Sequence, residues 1–114
     1  MENLRISKPE TTEFAEYYEK YVSLVKAENI FDALAEQMQA TQTLLTQIPE
    51  EKSTFAYAER KWSIKELVGH LIDTERIMAY RALRFARNDA TPIEGFDQDP
   101  YIENADFNAC TLSD

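Results

Sequence analysis

The sequence predicts an all-α protein, an up-down helical bundle, and three observations carry that prediction. Turn chemistry is scarce, with 2 Gly and 4 Pro in 114 residues, too few for the tight reversals of a sandwich or barrel. Apolar residues recur at steps of three and four over two long stretches. The longer of these opens with a capping box, Ser63-x-x-Glu66. The length fits one small domain over residues 1–114.

The first expected helix runs from about Pro9 to Val25, where Phe14, Tyr17, Tyr18, Tyr21 and Val25 keep helical spacing. Ser7 and Glu10 are placed to cap it, with Pro9 tolerated in the first turn. The second begins at Asn29, a good N-cap with Asp32 three residues on. Its stripe of Phe31, Leu34, Met38, Thr41, Leu45 and Ile48 predicts a seam packed along neighbouring helices. Pro49 ends it. Residues 54–61 alternate in a strand-like way, but one short strand has nothing to pair with, so an extended connector is expected.

The third helix is the clearest element. Trp62 and Leu67 stand at the two positions of a hydrophobic staple around the Ser63 cap. The pattern runs from Ile64 to about Arg87, where Asn88-Asp89-Ala90-Thr91-Pro92 stops it. A long loop follows to about Glu103. Asn104 then stands as the cap of a further helix carrying Ala105, Phe107, Ala109 and Leu112. The sequence ends at Asp114 with that helix barely begun, so the expectation is a bundle cut short after its second long helix.

Charge and composition narrow the function classes. Twenty-one acidic against 12 basic residues give a formal charge of −9, a field that repels nucleic acid and anionic membrane surfaces. The one cysteine, Cys110, allows no internal disulfide. The opening Met1-Glu2-Asn3-Leu4-Arg5-Ile6 leads into charge instead of an apolar leader. No run of apolar residues is long enough to span a bilayer. A cytoplasmic location is expected.

Plotted at about 100° per residue, the third helix has a wide apolar arc that includes Ile64, Leu67, Val68, Leu71, Met78, Ala82, Phe85 and Ala86. His70 falls on the shoulder of this arc, with Thr74 and Arg81 near its own meridian. Such a histidine can be a satisfied structural side chain, which is the commonest case, a proton-transfer group or a metal ligand. A metal needs further donors, and His70 is the only histidine. Asp73, three residues on, would make a two-ligand site at best.

Glu75 falls near the middle of the arc, where a carboxylate is costly unless paired. It is either an ion pair or hydrogen bond to an Arg or Tyr, or a carboxyl whose pKa burial raises. Asp97-x-Asp99 lacks the glycine of a calcium loop. Cys110 has no histidine nearby to activate it.

Three runs of residues together are similar to a known family. They are Lys61-Trp62-Ser63-Ile64-Lys65-Glu66-Leu67-Val68-Gly69-His70-Leu71-Ile72-Asp73-Thr74-Glu75-Arg76, Tyr80-Arg81-Ala82-Leu83-Arg84, and Pro92-x-x-Gly95-Phe96-Asp97-Gln98-Asp99-x-Tyr101. With Tyr17-Tyr18-x-x-Tyr21 they resemble the DinB-like (YfiT-like) superfamily. The resemblance implies a four-helix bundle holding a divalent metal, zinc or nickel, on three histidines. It implies a small-molecule substrate and either metal-dependent hydrolysis or transfer of a thiol to an electrophile.

By the same resemblance His70 matches the first metal ligand, while the other two histidines have no counterpart among the 114 residues. The expectation is therefore a chain that is inactive by itself and binds no metal alone. The competing reading is a non-catalytic helical module that self-associates, as a homodimer, or binds a partner helix through its apolar faces.

Overall fold

The computed structural model describes residues 4–114. Met1–Asn3, part of the opening read above for its lack of an apolar leader, lies outside them. A 3₁₀ turn at Glu16–Tyr18 leads into α1 (Glu19–Val22), followed by α2 (Ile30–Thr46) and a 3₁₀ turn at Glu50–Lys52. Then come α3 (Ile64–Ala86), α4 (Gln98–Glu103) and a last 3₁₀ turn at Phe107–Ala109. Among the described residues there is no strand, as the turn chemistry predicts. No helix there is long and apolar enough to cross a membrane. The chain divides into two compact units, Met1–Gln47 and Ile48–Asp114.

In the first unit the predicted helix over 9–25 shrinks to the single turn of α1. Ser7 and Glu10 form no capping box; the Glu10 N–H instead donates to the Glu13 carboxylate at 2.7 Å. The tyrosines associate with one another and with Lys20. The Tyr17 and Tyr18 rings meet edge-on at 5.2 Å, and Lys20 Nζ sits 4.1 Å from the centre of Tyr17. None of the residues from Glu16 to Val22 is buried. Without buried surface, nothing offsets the cost of nucleating a helix, and apolar spacing alone does not sustain one.

α2 starts where its cap predicts. The Asn29 side chain accepts from the N–H groups of Phe31 at 3.4 Å and Ile6 at 3.2 Å. The Ile30 N–H donates to the Ile6 carbonyl at 3.0 Å. One amide thus caps the helix and ties down the segment before it. The predicted stripe is present as a face and not as a packed seam: Phe31, Leu34 and Met38 are all exposed.

The second unit is organised around the start of α3. All four N–H groups of its first turn have acceptors, which answers the demand that every helix start makes. Ile64 donates to Phe55 O and Lys65 to Ser53 O, so the connector before the helix supplies two of them. Glu66 donates to Ser63 Oγ, and Leu67 to Ser63 O. The capping box closes with Ser63 N–H donating to Glu66 Oε2 at 2.7 Å. Packing beside it is tight: the Phe107 ring lies on Gly69, where an added methyl would come within 2.5 Å of it.

α3 ends as sharply as it begins. Asn88 takes the left-handed conformation at φ 53°. Its N–H donates to Phe85 O and the Asp89 N–H to Arg84 O, the two bonds of a Schellman ending. Arg84 then holds the loop back on the helix by pairing with Asp89 at 2.8 Å and donating to Thr91 O.

Two expectations beyond this point are corrected. The loop to Glu103 contains α4, and Asn104 ends that helix instead of starting another. Asp97 is its cap, accepting from the Asp99 N–H at 3.1 Å, and Pro100 sits in the first turn, where no N–H is needed. Residues 105–112 supply only the 3₁₀ turn at Phe107–Ala109. Ile102 of α4, 5% exposed, is the one large apolar side chain fully buried among the described residues.

Candidate functional site

His70 is set on α3 one residue after Gly69, so the helix face that receives Phe107 also fixes where the imidazole begins. The ring is partly buried and lies 5.0 Å from the Trp62 ring at an interplanar angle of 45°. Trp62, placed by the sequence beside Leu67 at the cap, lines the same cleft as Leu67 and also meets the histidine ring. The imidazole is thus held between the helix and an indole, with its position set by packing.

The polar neighbours of His70 are few. Asp73 is largely covered and pairs with Arg76 at 3.7 Å. The Thr74 hydroxyl, one helical turn beyond His70, is buried and has no hydrogen-bond partner among the described residues. A buried hydroxyl left unpaired is uncommon and costs stability. Among the described residues no three His, Cys, Asp or Glu side chains come together to hold a metal ion. With one imidazole and one carboxylate already paired to an arginine, the donors present do not fit a three-ligand metal centre.

Glu75 does not meet the cost expected of it. It is exposed, because the arc on which it sits is itself uncovered. Leu67, Leu71, Met78 and Phe85 are all exposed, and Phe85 is 74% exposed. A carboxylate in the middle of such a face remains in water. Neither an arginine nor a tyrosine partner for it is found among the described residues.

Asp97 and Asp99 serve the start of α4. Cys110 is exposed, with its thiol 3.9 Å from Asp106 O. Sequence reasoning passed over a polar clamp at the foot of α3. Glu50 pairs with Lys65 at 2.7 Å, and Lys65 is only 10% exposed. The same carboxylate accepts from the Leu112 N–H at 3.1 Å. The Lys65 ammonium first, and then that backbone N–H, hold the Glu50 carboxyl below its usual range.

A second ring of bonds joins Asn108 to the cap. Ser63 Oγ donates to Asn108 Oδ1 at 2.7 Å, and Asn108 Nδ2 donates to Glu66 Oε1 at 3.1 Å. These contacts close the base of the unit.

Comparison with known proteins adds one firm finding. The family model described as the DinB superfamily matches residues 33–109, well over half of the 114-residue chain. No curated protein matches, and no solved structure does.

Proposed function

Because the chain belongs to the DinB superfamily, we propose that it is an association module of that type, part of a helical bundle completed by a second copy of itself. The observation that carries this reading is the uncovered apolar arc of α3. An uncovered arc of this width on a 23-residue helix supports an interface there. The chain has two long helices, α2 and α3, so two copies bring the four that the family resemblance implies. The metal-dependent hydrolysis or thiol transfer implied by the same resemblance lies beyond the donors of one chain. Two copies would supply two imidazoles, one short of the set.

A second reading rests on the unpaired Thr74 hydroxyl near His70. In it, His70 is one ligand of a zinc or nickel centre assembled between copies of this chain, which supply the remaining donors. Equilibrium dialysis of the 114-residue chain against zinc and nickel separates the two readings. The association module predicts binding far below one ion per chain, unchanged in His70→Ala. Near-stoichiometric metal that His70→Ala abolishes would overturn it in favour of the metal centre.

A further inference from the structure

The second unit contains a cleft of about 610 Å³ beside the start of α3, lined in part by Phe55, Tyr57, Arg60, Lys61, Trp62 and Asp99. Its volume falls in the range, roughly 300–1,000 Å³, of sites that hold small organic molecules. Three aromatic side chains contribute to the lining, and Phe55 and Tyr57 are more than half exposed. Two adjacent cations join them. Neither Arg60 nor Lys61 has a carboxylate partner among the described residues. Lys61 reaches only the Tyr57 ring, at 5.9 Å.

The backbone singles out the same place. Arg60 adopts φ 61°, a left-handed conformation that a long side chain rarely takes, and such departures gather at binding sites. A second cleft, beside Tyr80 and Phe96, offers a contrast. Its arginines are already committed, Arg81 to Glu94 O and Arg84 to Asp89 and Thr91. The cations of the first cleft have no carboxylate partner among the described residues.

We infer that this cleft binds a small planar aromatic carboxylate, its ring against the Phe55, Tyr57 and Trp62 side chains and its carboxylate against Arg60 and Lys61. The first-turn N–H groups of α3 are all occupied by the connector and the cap. The anionic group therefore depends on the two side-chain cations and not on the helix start. Asp99, which shares the lining, disfavours ligands with a second negative charge. Ile64 and Leu67 of the α3 arc also line the cleft, so its apolar floor adjoins the face proposed to pair.

Trp62 is the only tryptophan, so its indole N–H gives a single resonance that reports on this cleft. The experiment titrates the ¹⁵N-labelled 114-residue chain with indole-3-acetate and, separately, with neutral indole-3-acetamide. The inference predicts a saturable shift of the Trp62 signal with indole-3-acetate and about tenfold weaker binding of the amide, the loss expected for a charge-assisted contact. Arg60→Gln and Lys61→Gln, both at exposed positions, weaken indole-3-acetate binding and leave the amide unaffected. Equal affinities for acid and amide, no Trp62 shift, or shifts confined to the Met78 backbone N–H on the α3 arc would each overturn it.

Discussion

The first turn of α3 and the middle of the same helix show how differently one chain can treat two parts of one element. At Ser63–Leu67 every backbone donor has an acceptor within the chain. Asn108 and Glu50 then clamp that turn to the end of the sequence. From Leu71 to Phe85 the helix is equally regular, yet its large apolar side chains stay open to water. Hydrogen bonds close the first region locally. The second can be closed only by burying area against another surface.

The comparison breaks most readily at its closed end. Ile102→Ala removes the one buried large apolar side chain among the described residues and is expected to cost about 2–5 kcal/mol, read as a lower melting temperature. Gly69→Ala pushes a methyl against Phe107 and should destabilise by about 1–3 kcal/mol, as overpacking does. Gly-to-Ala helix propensity returns less than about 1 kcal/mol of that. Ser63→Ala loses the cap and should cost about 0.5–2 kcal/mol, with the larger part of that range expected because Asn108 also loses its partner.

Acid should loosen the same unit by a smaller amount. The Thr91 hydroxyl and N–H, and then Arg84, hold the Asp89 carboxyl down to about 2 from 3.8. Glu50 is also lowered, from 4.5. Both carboxyls are depressed in the folded state, so their stabilisation is fully present above the unfolded values and fades as pH falls through the folded ones. Melting temperature should therefore drop on acidification below about pH 4.5, and Asp89→Asn should flatten part of that fall. The smallest effect is at the open end. Glu75→Gln on an exposed position should change stability by less than about 0.5 kcal/mol.

The same contrast explains what was legible in the sequence. Asn29, Ser63 and Glu66 could be read because their partners lie two to three residues away and the chemistry is local. Asn108 and Leu112 could not, since their bonds reach back 45 and 62 positions. α4 carries a visible signal, Asp97 followed by Pro100 in a first turn, but six residues are too few for a helical period to stand out from a loop. The tyrosine-rich stretch before Val25 had the spacing of a helix without the buried surface to stabilise it. For the candidate site, the position of His70 at the edge of the arc was readable. Its contact with Trp62 was not, because the two residues stand eight positions apart and no local pattern joins them.

The central claim is that the open arc of α3 exists to be covered by a second copy of the chain. Light scattering on the purified 114-residue protein, beside a Leu71→Glu, Met78→Glu double variant, tests it most directly. The account predicts a dimer that the two added charges convert to monomer, with the helical signal of α3 reduced in the variant. A parent protein that is already a stable monomer, with the same mass and helicity as the variant, would contradict it.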